Sequence, residues 1–467
     1  MDKGHILKFS PYETLRSCQE DTLLKIEKEW FNFDVAVVRA PVGSGKSGIA
    51  VTLQAWLDGG CIITPNNLLR NQYIDDFPHM KTVKSQDEYW LDAYEMTEKE
   101  FRKKIYKYGP KDSEYEKDRK AVKRVGTPVV ANYHTYMAHK LQRKLLIVDE
   151  AHQLLKTLQD IHSRKIWKHV YGYPERASTP ADILEWIDNI NNPPRAIAKL
   201  RNGIKSLSEG TVLEFGREYY RGSSEDCLKL IPLDVSMESP IFWPSKTKKI
   251  ILMSATIGEE DVKAMGLSQR RVLYIDVESP IPEDRRPIKF VPIADMSRLL
   301  QPESIPEIAD AILNIASQNP EKGMIHATYD IAQKLKPYLE SNPRFMFHTN
   351  KTKKDIYDSF IEDETDKILV GSGMYEGINL KFDAAKWQVL TKCPYPSLMN
   401  PAYRFLAREQ PERYLWHVTK DILQASGRIC RDPEDYGITY LLDSAFEKWY
   451  NKARATLPNW FKIGELG

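Results

Sequence analysis

Cysteine is scarce and scattered. The 467 residues hold five, Cys18, Cys61, Cys227, Cys393 and Cys430, with no C-x-x-C pair. That excludes a disulfide framework and a zinc site built on paired cysteines. Free thiols suit a reducing compartment, so a cytoplasmic protein is expected, or a nuclear one in a eukaryote. An excess of one charge is also missing. The formal net charge is +2, so any nucleic-acid binding has to come from local patches. No apolar run approaches transmembrane length, and Met1-Asp2-Lys3-Gly4-His5 opens no signal-peptide core. No membrane partner is expected. Internal repeats and low-complexity segments are absent as well. The composition is 42% hydrophobic and 28% charged, ordinary for a globular chain long enough for about two or three domains.

The most informative stretch is Ala40-Pro41-Val42-Gly43-Ser44-Gly45-Lys46-Ser47. The apolar run Val35 to Val38 precedes it and reads as a buried parallel strand. Gly48 to Leu57 follows with helical spacing. Strand, glycine loop and helix together make a phosphate-binding loop. Glycines let the backbone N–H groups of the Pro41-Val42-Gly43-Ser44-Gly45 turn point at an anion, and the helix N-terminus adds its dipole. Lys46 would reach the β and γ phosphates, and Ser47 would place its hydroxyl on Mg²⁺. Ala40 stands where the first glycine of the pattern usually is. Upstream, Arg16 and Gln19 lie where they could read an adenine edge. At i, i+3 they could equally lie on a solvated face.

A second strand runs from Cys61 to Thr64, with Thr64 at its carboxyl end, where open α/β sheets bind ligands. From about 75 to 126 the apolar periodicity weakens. Residues 101–125 hold ten Lys or Arg against four Asp or Glu, with Phe101, Tyr106, Tyr108 and Tyr115 interleaved. Such a stretch, with Lys103, Lys104 and Lys107, could track a phosphate backbone and stack bases, or be a solvated helical elaboration. Pro128 to Asn132 and Tyr133 read as a strand with a polar exit. Leu145 to Val148 is a fully apolar strand that delivers Asp149, Glu150 and His152 at its tip. Asp149 could hold Mg²⁺ and Glu150 could polarise a water. Residues 155–245 read as a long, mostly helical insertion. Lys249 to Met253 form another strand, ending in Ser254 and Thr256, and Val272 to Ile275 close the first sheet.

Pro280, Pro282 and Pro287 mark a linker, and a second set of strands and helices follows. Alternation of this kind argues a second parallel sheet. This half has no phosphate loop. It carries Glu376-Gly377-Ile378-Asn379 after a strand, and Gln424, Arg428 and Arg431 at i, i+4, i+7. Those three could line one helical face and act as arginine fingers, or pair with Asp432, Glu434 and Asp435 on a surface helix.

Taken in order, these stretches resemble a superfamily 2 helicase of the XPD/DinG branch, a DEAH-box enzyme. Residues 40–47 are similar to its motif I, 64–72 to motif Ia, 149–152 to motif II and 254–256 to motif III. Residues 376–379 with 392–396 resemble motif V, and 424–431 resemble motif VI. The resemblance implies an α/β protein with two RecA-like parallel-sheet domains, 1–283 and 284–467, the first carrying helical insertions at about 75–126 and 155–245. It implies ATP and Mg²⁺ bound between the domains, with Lys46, Ser47, Asp149 and Glu150 from the first and Gln424, Arg428 and Arg431 from the second. His152, Ser254, Thr256 and Asn379 would couple nucleotide to movement. Thr64, Asn132 and Tyr133 would lie along the nucleic-acid track. Single-stranded or forked DNA is the expected partner, with 5′→3′ movement. An RNA-dependent or branched-DNA remodelling ATPase and a non-motor nucleotide switch are the alternatives. Two departures stand out. Asn379 replaces a common aspartate. The interval between motifs I and II holds Cys61 alone, against the four cysteines of the branch, so no iron–sulfur cluster is expected.

Overall fold

A computed structural model describes residues 5–207, 210–220, 223–236, 242–243, 246–349, 351–374, 380 and 382–461. The chain divides into two compact units. One comprises Met1–Arg39, Gly45–Ile275 and Leu398–Glu409; the other comprises Ala40–Ser44, Asp276–Ser397 and Gln410–Gly467.

The first unit is built on strands β1 (Val35–Arg39), β2 (Gly60–Thr64), β3 (Pro128–Asn132) and β4 (Leu145–Val148). An inserted three-stranded antiparallel sheet follows, of β5 (Arg164–Trp167), β6 (Thr211–Tyr220) and β7 (Ser223–Pro232), in the order β5-β7-β6. Strands β8 (Lys249–Ser254) and β9 (Val272–Asp276) then complete a six-stranded parallel sheet ordered β9-β1-β8-β4-β2-β3. Val35 to Val38, Cys61 to Ile63 and Leu145 to Val148 are all fully buried or nearly so. Burial on both faces is why these strands read as continuous apolar runs rather than alternating ones.

Helices α1 (Ser17–Lys28), α2 (Lys46–Trp56), α3 (Asn67–Asp76), α4 (Glu98–Lys104), α5 (Glu114–Ala121), α6 (Tyr133–His139) and α7 (Leu154–His162) belong to this unit. The 155–245 segment holds the expected helices, over Leu154–His162, Lys168–Tyr171, Pro180–Asp188 and Arg195–Lys205, and adds to them the β5–β7 sheet, which the sequence pattern does not show. Its strand β6 buries Thr211 to Leu213 and then exposes Phe215 to Arg217, so no long apolar run announces it.

The second unit holds a six-stranded parallel sheet of its own. Its strands are β10 (Ile288–Ala294), β11 (Gly323–Ala327), β12 (Phe345–Phe347), β13 (Ile368–Ser372), β14 (Trp387–Leu390) and β15 (Ile438–Asp443). The order is β10-β15-β14-β11-β13-β12. Helices α8 (Gln301–Gln318) and α9 (Tyr329–Leu339) pack on one face through Ile308, Ile312, Ile331 and Leu335. Helix α10 (Pro401–Glu409) clusters with the first unit, against β6, whereas α11 (Pro411–Ser426) and α12 (Ala445–Ala453) cover the second sheet.

Candidate active site

The phosphate loop leaves the carboxyl end of β1 and enters α2. Gly43 and Gly45 have φ of +80° and +75°, the left-handed region open to glycine. A Cβ at Gly45 would stand 2.3 Å from Nε2 of Gln19. Gln19 is buried. Its amide nitrogen donates to the Gly45 carbonyl at 2.9 Å, and its amide oxygen accepts the Arg16 backbone N–H at 2.9 Å. Gln19 therefore braces the loop from α1, while Arg16 is exposed at the helix start. Ser44 turns inward, its hydroxyl donating to the Pro41 carbonyl at 2.7 Å.

Three neighbouring strand ends carry the acidic and hydroxyl groups. After β4, Asp149 is buried and Glu150 takes a left-handed backbone with φ of +48°. The kink turns Glu150 toward Lys46, whose Nζ lies 3.7 Å from its carboxylate, and toward His152, whose Nδ1 lies 3.3 Å away. His152 Nδ1 also meets the Ser254 hydroxyl at 2.8 Å, and Ser254 Oγ accepts the Thr256 N–H at 3.1 Å. Lys46, Glu150, His152, Ser254 and Thr256 thus form one polar chain across the ends of β1, β4 and β8. Asp149 Oδ1 accepts the Glu150 N–H and Oδ2 accepts the Tyr73 hydroxyl, each at 2.9 Å. Burial, reinforced by the Glu150 charge, raises the Asp149 carboxyl to about 6.

Tyr73 belongs to none of the sequence motifs. It is buried on α3, and its hydroxyl donates to Asp149, with Ser47 near enough to lower its pKa against the larger rise from burial. The Ser47 hydroxyl and the Asp149 carboxylate are thereby held around a single phenol. An all-oxygen set with one carboxylate fits Mg²⁺, which takes few protein ligands and completes its shell with water and phosphate oxygens. Among the described residues no group of three His, Cys, Asp or Glu gathers as a larger metal site.

Two residues expected along the nucleic-acid track are not surfaces. Tyr133 is fully buried, its hydroxyl donating to the carbonyls of Asp149 and Glu150 at 2.8 and 3.1 Å. Thr64 is fully buried, with its hydroxyl on the Asn66 carbonyl at 3.0 Å. Both point into the sheet because the strand ends there are still covered. Asn132 is half-buried; it caps α6 and donates to Asn67 Oδ1 at 2.6 Å. In the 101–125 stretch, Phe101 and Tyr115 are core residues. Arg102 is tied to Glu98 and Glu116 at 2.7 and 2.8 Å, and Arg119 to Glu116 at 2.7 Å. The exposed remainder is continuous from Lys103 to Tyr108, and within it Lys104 meets Glu100 at 3.1 Å.

In the second unit, Gln424, Arg428 and Arg431 do not share a helical face. Helix α11 ends at Ser426 with Gly427 as its cap, and Cys430 at φ +52° turns the chain again. Only Gln424 is helical. Gln388 pins this turn, its Nε2 donating to the Ala425 carbonyl at 3.0 Å. The Leu380 N–H donates to the Arg428 carbonyl at 3.2 Å. Glu376, Gly377 and Asn379 lie outside the described residues.

Residues 13–177 match the family described as Type III restriction enzyme, res subunit, and residues 312–464 match Helicase C-terminal domain. The chain is a superfamily 2 helicase. The phosphate loop and the Asp149–His152 segment fall within the first of these matches, and Gln424 to Arg431 within the second. This superfamily hydrolyses ATP, with Mg²⁺. Xpd4 of S. tokodaii superposes with a TM-score of 0.60 at 16% identity, covering 96% of this chain and 98% of that one. A second XPD helicase gives 0.61 at 17%, covering 97% and 100%. An apo XPD gives 0.59 at 18%, covering 94% and 98%. At these identities the likeness is one of fold: two RecA-like sheets. No curated protein matches the sequence significantly.

Proposed function

We propose that this helicase is a motor on single-stranded DNA, moving 5′→3′ and opening forked duplexes. The observation that carries the motor reading is the chain from Lys46 through Glu150 and His152 to Ser254. It links the phosphate-contacting end of α2 to the end of β8 through unbroken polar contacts. Lys46 would bind the terminal phosphates. Glu150 would take the proton of the attacking water, with His152 fixing its carboxylate. The Ser254 hydroxyl would feel that contact change as the phosphate leaves. Mg²⁺, when bound, would neutralise developing charge on the phosphate oxygens. Ser47 and Asp149 would hold it, steadied by Tyr73. Arg428 and Arg431 are proposed to act on the transferring phosphoryl group from the second unit.

A nucleotide switch without motion has no need of such a relay, which weighs against the non-motor alternative. DNA rather than RNA, and the polarity, follow the XPD-like pattern of motifs. The nucleic-acid contact is proposed at the exposed strip Lys103 to Tyr108, where Lys103, Lys104 and Lys107 alternate with Tyr106 and Tyr108. ATP turnover with no polymer, with single-stranded DNA and with RNA tests the reading. Stimulation by DNA above RNA is expected. Stimulation by RNA alone would select the RNA-dependent alternative, and equal rates in all three would leave a switch.

A further inference from the structure

The first unit has an open cavity of about 550 Å³ that the ATPase does not use. It is lined by Arg119, Lys123, His139, Lys140 and Arg143 with Tyr115, and no acidic residue lines it. It lies at the amino ends of β3 and β4, because α6 starts at the carboxyl end of β3 and runs back. The nucleotide residues stand at the carboxyl ends, about 15 Å away along a five-residue strand. The two sites are separate.

The charge here is poorly balanced. Arg119 is matched by Glu116. Arg143 spends its guanidinium on backbone carbonyls, among them Gln142 at 3.3 Å and Arg124 at 3.1 Å, which leaves its charge uncancelled. Lys123 and Lys140 are exposed and form no ion pair among the described residues. Burial, then Lys123 and Arg119, lower the His139 pKa, and Glu116 opposes them only in part. Like charges gathered round a concavity raise its potential and concentrate anions there.

We propose that this cavity is an anion site that takes a phosphate group, either a backbone phosphate of nucleic acid or a free phosphate ester. The first source rests on the DNA reading above; the second does not. Its position favours a continuous track. Arg102, the residue before the Lys103–Tyr108 strip, stands 4.9 Å over the ring of the cavity residue Tyr115, and the His139 ring lies 6.1 Å from that ring on the cavity side. The lysines would meet phosphate oxygens as mobile point charges, with Arg143 as the fixed charge behind them.

The local readout is the Cε1–Hε1 resonance of His139, identified by its loss in His139→Gln. Its pH titration is followed in the whole protein alone, with sodium pyrophosphate, with oligothymidylate, and with sodium chloride at matched ionic strength. An anion in contact should raise the His139 pKa by about one to three pH units. The rise should vanish in Lys123→Glu/Lys140→Glu and shrink in Lys123→Gln/Lys140→Gln, with melting temperatures unchanged in both. A rise with oligothymidylate alone assigns the site to a nucleic-acid backbone. A rise with pyrophosphate alone assigns it to a free phosphate group rather than a polymer backbone, and a rise with both supports phosphate recognition in general. No rise with either, or a rise that persists in the double variants, overturns the proposal. Pyrophosphate also separates this site from the motor reading. Its effect on His139 stands even if DNA fails to stimulate ATP turnover.

Discussion

The hydroxyl of Tyr73 donates to Oδ2 of Asp149 at 2.9 Å, from a ring that is itself buried. A buried carboxylate loses solvation, and each retained donor compensates part of that loss. Removing the hydroxyl in Tyr73→Phe should leave the fold intact and free Asp149 to turn. Affinity for Mg²⁺–nucleotide is expected to fall about tenfold to a hundredfold, the usual cost of deleting a partner behind a metal ligand. Nucleotide binding without Mg²⁺ should hardly change. Calorimetric titration of ADP with and without Mg²⁺ separates the two, and equal losses in both would reduce Tyr73 to a packing residue.

The Asp149 carboxyl, raised to about 6 by burial and by Glu150, gives a signed pH dependence. A raised acid favours the protonated folded state. Its stabilising contribution is present below the ordinary value of about 4 and is lost as pH rises through about 6. Mg²⁺–nucleotide affinity should run the other way and strengthen across the same window, because the ligand must be ionised. The melting-temperature difference between wild type and Asp149→Asn, measured at intervals from acid to neutral pH, should change through that window. A flat difference would remove the claim.

Lys46→Ala and Glu150→Gln are each expected to abolish turnover. Glu150→Gln should still bind Mg²⁺–ATP, since Asp149 and Ser47 remain. Lys46→Ala removes charge stabilisation of the phosphoryl group and should also weaken binding. Single-turnover assays with a fluorescent nucleotide distinguish the two defects. Near-normal turnover in either variant would falsify the roles given to these residues.

Arg428→Ala and Arg431→Ala should cost turnover far more than nucleotide affinity. Losses of about a thousandfold are possible for a group acting on transition-state charge. Because α11 stops at Ser426, the two arginines project from different parts of an irregular turn and need not be equivalent. Comparing kcat with nucleotide Kd for each variant decides this. Unchanged kcat in both would make them surface residues.

Neutralising Lys103, Lys104 and Lys107 together should weaken DNA binding and flatten its salt dependence. The log–log slope should shrink by about 0.7 for each single-strand phosphate that is no longer neutralised. DNA-free turnover should be unaffected. Lys104 already has Glu100 as a partner, so its share should be the smallest. An unchanged slope would return this strip to a solvated elaboration. Polarity is tested on partial duplexes: opening of 5′-overhang substrates is expected, and activity confined to 3′ overhangs would refute it.

The sequence made the central strands of both sheets legible because they are buried on two faces. Val35 to Val38 and Leu145 to Val148 leave little alternative. The glycine loop was equally plain, since its φ values demand its residues. Strand β10 was hidden because Pro287 and Pro292 flank and interrupt it, and the proline-rich stretch read as linker. The end of α11 was hidden because polar spacing continues through Gly427, although glycine there was the available signal. Tyr73 lies on a mostly polar helix where only Arg70 shares its burial. That i, i+3 pair was the one trace of an inward face. Burial of Tyr133 and Thr64 depends on tertiary cover, which no local pattern records.

All five cysteines are buried. Burial pushes the Cys61 thiol up to about 12 and the Cys430 thiol up to about 11, so neither forms the reactive thiolate near neutral pH. For a thiol-directed dye, the native chain is therefore close to blank. A single cysteine placed at an exposed position such as Lys103 would carry essentially all the label. Paired with a second on the other unit, it would turn each nucleotide state into an optical distance, without first stripping the protein of its own sulfur.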